Sequence, residues 1–91
     1  MVVRVAKYRL FIKPSAQNEL DALDDAPFAR LDFKIMTLAE NPRPTGCKKL
    51  KDYDDQWRIR VGNWRVLYTI DDSAKVVRII RIAHRREAYQ R

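Results

Sequence analysis

The stretch that most constrains this chain is Trp57–Tyr68, which reads WRIRVGNWRVLY. Apolar and basic residues alternate on both sides of Gly62-Asn63. Period-two alternation across a two-residue loop containing glycine specifies an antiparallel hairpin. Gly62 at the first central position predicts a type II′ turn, which needs a positive φ there. So short a loop also fixes the register. Val61 falls opposite Trp64, Arg60 opposite Arg65, Ile59 opposite Val66, Arg58 opposite Leu67 and Trp57 opposite Tyr68. Opposed residues share a face. One face is Trp57, Ile59, Val61, Trp64, Val66 and Tyr68, a core surface. The other gathers Arg58, Arg60 and Arg65 with no acid among them. Like charges opposed in this way cost about 0.2–1 kcal/mol per pair. Two readings of that face stand at this point: the solvated side of an ordinary sheet, or a seat for an external anion.

Upstream, Val5–Ile12 alternates Tyr8, Leu10 and Ile12 with Lys7, Arg9 and Phe11, the pattern of a first strand. Lys13-Pro14 ends it, and Ser15 is a helix N-cap candidate. Ala16, Leu20 and Leu23 then fall at i, i+4 and i+7, one face of a short helix over Ala16–Leu23. Asp24-Asp25-Ala26-Pro27 breaks that helix and starts another, since proline suits a first helical turn. Phe28, Leu31, Ile35 and Leu38, with Met36 beside them, form a second stripe read as core. Asn41-Pro42 stops it. Arg43–Gln56 reads as a loop with a basic segment, Cys47-Lys48-Lys49-Leu50-Lys51. After the hairpin, Asp71–Ala74 is a polar turn. Lys75–His84 is apolar on both faces apart from Arg78 and Arg81, which suits a strand covered on two sides. The tail Arg85–Arg91 is basic.

A strand, two helices and three further strands imply an α+β fold. An N-terminal strand and a two-helix hairpin would pack on one face of an antiparallel sheet in the order β-α-α-β-β-β, followed by a short basic C-terminal tail. Ninety-one residues make a single domain, 1–91, and 46% hydrophobic residues supply a core. Cys47 is the only cysteine and His84 the only histidine, so neither an internal disulfide nor a clustered metal site is expected. No base adjoins Cys47 in sequence, so it is read as structural. The N-terminal segment is too short and too charged for a signal peptide or membrane span, and a cytoplasmic location is expected. The net charge of +7 is unevenly spread: residues 57–91 hold nine Lys or Arg against three Asp or Glu, and residues 1–56 hold ten against nine. That asymmetry points to a polyanion or an acidic protein as partner.

Three segments together resemble the RelE toxins of the RelE/ParE toxin–antitoxin superfamily: NPRPTGCKKLK over Asn41–Lys51, WRIRVGNWRVLY over Trp57–Tyr68, and AHRREAY over Ala83–Tyr89. The resemblance implies a ribosome-dependent endoribonuclease that cuts mRNA in the A site, inhibits translation, and is silenced by a cognate, RelB-like antitoxin in a hetero-oligomer. It implies no cofactor, no metal and no membrane partner. Carried over position by position, it places the catalytic residues at Arg58, Arg60, Arg65, Arg85 and Tyr89. Lys48, Lys49, Lys51 and Arg86 would grip RNA backbone, contacts that position a strand without reading it.

RNA cleavage by its own 2′-OH needs a proton removed from that oxygen, charge stabilised on the phosphorane, and a proton given to the leaving 5′-oxygen. Guanidinium groups suit the second task through paired hydrogen bonds to phosphate oxygens. They cannot serve as bases, because arginine stays protonated. Some RelE toxins carry lysine where this chain has Arg58 and Arg60, so no base stands at those positions here. Tyrosine has an ordinary pKa of about 10, and nearby positive charges favour its ionised form, so Tyr89 is a candidate for stacking on a base, for acting as base or acid, or for both; a neighbouring lysine and the ribosome-bound RNA itself are the other sources of the proton step. Histidine is the side chain most often used for proton transfer near neutral pH, but strand alternation turns His84 away from Arg85. Two other functions fit the same fold: a ParE-like inhibitor of DNA gyrase with no nuclease site, and a non-catalytic module that binds RNA or ribosomes.

Overall fold

In a computed structural model, residues 7–50 and 55–84 are described. The elements run β1 (Arg9–Ile12), α1 (Pro14–Asp21), α2 (Asp25–Leu38), β2 (Lys48–Lys49), β3 (Gln56–Val61), β4 (Trp64–Asp71) and β5 (Val76–His84). The five strands form one sheet in the order β1-β5-β4-β3-β2. The α+β architecture and its order of elements are those expected. Two details differ. β1 pairs with β5 in parallel, so the sheet is mixed. The helical hairpin carries the chain from β1 across to the opposite edge, and the two reversals after β3 then bring β5 alongside β1 in the same direction. Alternation within a strand reports its faces and not its neighbours, so the sequence could not reveal this pairing. The second addition is β2, a two-residue strand inside the Arg43–Gln56 loop, antiparallel to β3 with Lys48 beside Arg58 and Lys49 beside Trp57.

The β3–β4 hairpin has the register read from the sequence at every pair from Trp57↔Tyr68 to Val61↔Trp64. Gly62 adopts φ +60 and Asn63 does not enter the left-handed region, as a type II′ turn requires. β4 and β5 are antiparallel with one irregularity: Leu67 pairs with Arg81 but Tyr68 pairs with Ile79, leaving Ile80 as the extra residue of a bulge.

Both helices lie on one side of the sheet. α1 begins at Pro14, which its fixed φ suits to a first helical turn, so Ser15 lies inside the helix and does not cap it. Ala16 and Leu20 are buried and Leu23 is half-buried. On α2, Leu31, Ile35 and Leu38 are buried and pack with Ile59, Val66, Tyr68, Val77 and Ile79 from the sheet. Met36 does not belong to that stripe: it is 57% exposed, and Phe33 is 68% exposed. At 100° per residue, Met36 falls one step past Ile35, outside the arc that faces the sheet.

β1 ends at Ile12, whereas β5 continues to His84. Beyond that end the Ile82 amide has no strand to donate to. It donates instead to Glu19 Oε1 of α1 at 2.8 Å. A side chain thereby replaces a missing backbone partner.

Candidate functional site

The arginine face of the hairpin is assembled on the side of the sheet away from the helices. Ile59, Val61 and Val66 pack into the helix-facing core, which turns Arg58, Arg60 and Arg65 to the other side. Arg60 stands directly opposite Arg65, and Arg58 is flanked by Lys48 on β2 and Leu67 on β4. The three differ in burial. Arg60 is exposed, whereas Arg58 and Arg65 are only 8% and 5% exposed. Arg65 Nη1 reaches the Trp64 carbonyl at 3.5 Å, a long contact. No hydrogen bond or ion pair links Arg58 to another described residue. Among the described residues no buried side-chain nitrogen or oxygen lacks a hydrogen-bond partner, so the unpaired nitrogens of Arg58 keep contact with solvent while its stem is covered, and a bound phosphate would take charge-assisted hydrogen bonds from them.

Arg58 and Arg60 open onto a cleft of about 320 Å³ at the β3 edge. Among the described residues the β2 pairing stops at Lys48 beside Arg58, and no strand pairs with Arg60 on that edge. Lys34 and Thr37 of α2, the Pro44–Gly46 turn and Lys48 line its other walls. Four cations and no acid border the cleft. Lys34 is a contributor that the sequence did not single out. It lies on the polar side of α2 by periodicity, and only the crossing of α2 over β3 brings it beside Lys48.

The loop that carries β2 is held by residues remote from the arginines. Arg43 donates to both carboxylate oxygens of Asp72, Nη1 to Oδ1 at 3.2 Å and Nη2 to Oδ2 at 2.9 Å. Its guanidinium also lies 5.0 Å from the centroid of the Trp57 ring. Tyr8 donates its hydroxyl to Asp72 Oδ1 at 2.7 Å. The Arg43 hydrogen bonds, followed by that of Tyr8, hold the Asp72 carboxyl down to about 2. The Tyr68 hydroxyl, buried beneath the loop, donates to the Pro42 carbonyl at 2.7 Å. Burial, then the neighbouring Cys47, pushes its pKa up. Arg43, Asp72 and Tyr68 are thus positioning residues for Lys48 and Lys49. The spacing between them, 29 positions from Arg43 to Asp72, left no local signal. Cys47 is half-buried and packs against the core.

Lys48 and Lys49 are both exposed, with Lys48 beside Arg58. Trp64 packs edge-on against His84, ring centroids 5.4 Å apart. That pairing puts His84 on the core side, away from the arginines. Lys51, Arg85, Arg86 and Tyr89 lie outside the described residues. Among the described residues no helix is long and apolar enough to cross a membrane.

A family model described as ParE toxin of type II toxin–antitoxin system, parDE, matches residues 10–89. Toxin RelE of Mycobacterium tuberculosis is 32% identical over 84 residues, covering 91% of this chain and 87% of the relative. Toxin RelG of the same organism is 28% identical over 85 residues, covering 92% and 98%. Among solved structures, the archaeal RelE–RelB complex from Pyrococcus horikoshii superposes with a TM-score of 0.78 at 27% identity, over 87% of this chain and 96% of the other. The isolated E. coli RelE toxin superposes with a TM-score of 0.74 at 25% identity, over 85% and 83%. The chain belongs to the RelE/ParE family of toxins of type II toxin–antitoxin systems. Within that family it is a toxin of RelE type.

Proposed function

We propose that this toxin is a ribosome-dependent endoribonuclease that cleaves mRNA in the A site. The observation that carries the reading is the Arg58–Arg60–Arg65 face, in which Arg58 has no hydrogen-bond partner among the described residues while its nitrogens stay reachable by solvent, and Arg60 and Arg65 stand opposite each other. Such a face is built to hold an external phosphate. Preorganised donors aimed at a pentavalent phosphorane supply the largest part of the barrier reduction in reactions of this kind. Arg58, Arg60 and Arg65 stabilise that charge, and Arg85 adds a further cation. Tyr89 handles the proton that arginine cannot. Lys48, Lys49, Lys51 and Arg86 hold the RNA backbone, and the chemistry needs no metal. The antitoxin that silences the site is RelB-like: relatives of the same fold were solved as RelE–RelB complexes. It acts on the toxin in the cytoplasm.

Mapping mRNA 5′ ends after induced expression tests this reading. New ends within translated codons are expected, absent for Arg65→Ala and Tyr89→Ala. Translation arrest without new ends would sink it. The ParE family model favours a second reading, inhibition of DNA gyrase. A supercoiling assay with purified protein separates the two: gyrase inhibition without RNA cleavage establishes the second. The arginine face supports the first, since a gyrase binder has no evident need of three arginines gathered on one face of the hairpin with no acid among them.

A further inference from the structure

The bulge at Ile80 decides which arginines share a side. In an unbroken strand, residues three positions apart point to opposite faces, so Arg78 and Arg81 would be separated. With Ile80 extruded, Arg81 pairs with Leu67 and Arg78 with Thr69. Leu67 and Thr69 lie on the same side of β4 as Arg65. Both arginines therefore join the face that carries the hairpin arginines. β1 extends it: Leu10 and Ile12 pack on the core, which turns Arg9 and Phe11 to this same side, with Phe11 beside Arg78 in the parallel register.

A cationic track thus crosses the sheet from Arg58 on β3 over Arg81 and Arg78 on β5 to Arg9 on β1. At about 4.8 Å per strand it is about 14 Å long. Its far end is open. Arg9 and Arg78 are exposed and have no ion pair with a described residue. Phe11 is 57% exposed. Two described acids bear on the track: Asp71, which continues the Leu67–Thr69 side of β4 opposite Val76, the neighbour of Arg9, and Glu19 of α1 on the helix side, whose Oε2 lies 3.7 Å from Arg81 Nε while its other oxygen holds the Ile82 amide.

We propose that this track carries single-stranded RNA beyond the hairpin, with phosphates on Arg81, Arg78 and Arg9 and a base stacked on the ring of Phe11. The inference rests on the ribonuclease reading above. RNA fits better than an acidic protein because the apolar area offered is one exposed ring beside half-buried Leu67 and Thr69. A ring flanked by guanidinium groups suits a base and its backbone, whereas a protein partner would need a broader apolar core.

The test is fluorescence anisotropy with the purified chain and 2′-O-methyl RNA, which binds but cannot be cleaved. A short strand fills the hairpin alone, and a longer one reaches β1. Each lost phosphate contact on a single strand lowers the slope of log affinity against log salt by about 0.7. Arg9→Ala with Arg78→Ala is therefore expected to lower the slope for the long strand by about 1.4 and to leave the short strand unaffected. Phe11→Ala is expected to weaken the long strand about tenfold with its slope unchanged. All three positions are exposed, and circular dichroism verifies that the variants fold. Unchanged binding of both strands by both variants, with wild-type protein still cleaving mRNA, overturns the track alone. Wild-type protein that neither binds RNA nor cleaves mRNA overturns the ribonuclease reading together with it. A double variant that keeps RNA binding but loses poly-L-glutamate binding assigns the face to an acidic protein, and overturns the proposal.

Discussion

Arg58→Met is expected to make the protein more stable and inactive at once. Arg58 is 8% exposed, and no described residue neutralises it. Full desolvation of an ion costs several kcal/mol after relaxation; the Arg58 nitrogens keep solvent contact while the stem is covered, so only a fraction of that cost applies. Lys48 stands directly beside it on β2, and a like-charge cross-strand pair adds about 0.2–1 kcal/mol of repulsion. Methionine has a similar length, keeps the packing of the aliphatic stem, and removes both costs. A gain of about 0.5–1.5 kcal/mol follows from relieved repulsion and partial desolvation, less the contacts the guanidinium makes through its stem. For a chain of this size each kcal/mol moves the melting temperature by about 4–8 °C. Loss of one transition-state donor lowers cleavage by about 10²–10³-fold. Thermal denaturation and a ribosome cleavage assay, run on the same preparations, measure both. Arg60→Met is the control: its side chain is exposed, so its stability should change by no more than about 0.5 kcal/mol. If Arg58→Met melts below the wild type, Arg58 is held by its surroundings, and the argument that it waits for a phosphate fails.

Tyr68→Phe removes the donor to the Pro42 carbonyl; stability should fall by about 1–2 kcal/mol in chemical denaturation, and a neutral result would show that water replaces the hydroxyl. Asp72→Asn should flatten the acid limb of the stability curve. The folded carboxyl sits near 2, below its ordinary 3.8. Its contribution is therefore complete above the ordinary value and lost as pH falls through the folded one; an acid titration in which wild type and variant run parallel across that window would contradict the clamp. Gly62→Ala should cost about 1–2 kcal/mol from the left-handed backbone alone. A Cβ there meets nothing closer than Arg30 Nη1 at 3.8 Å, so a crystal structure of the variant should show strain in φ without displaced neighbours.

The hairpin was fully legible because its register depends on a two-residue loop and on alternation, both local. The helices were legible in number and in facing side chains, apart from the Pro14 start and the outward Met36. Three things were not. The partner of β1 depends on where two helices deliver the chain. The Arg43–Asp72 clamp joins segments 29 positions apart. The common side of Arg78 and Arg81 depends on a bulge that a period-two reading takes for a fault in the pattern. Each of these arises from the meeting of distant elements, where periodicity carries no information. At the site, residue types pointed to phosphate chemistry, but the burial of Arg58 and the approach of Lys34 required the assembled sheet.

The parallel pairing of Arg9 with Val76 joins positions 67 apart, and it sets the order in which this toxin can be made. The arginine hairpin closes locally, but β4 gains its second neighbour, and α1 its seat, only when β5 has been synthesised. Contacts of such long sequence separation slow folding, because their loop entropy is lost before they contribute. A nascent chain still short of Val76 therefore holds its arginines on an unsupported hairpin, which alone is marginal in water. The arginine face is therefore seated on a complete sheet only once β5 has been made and has docked against β1.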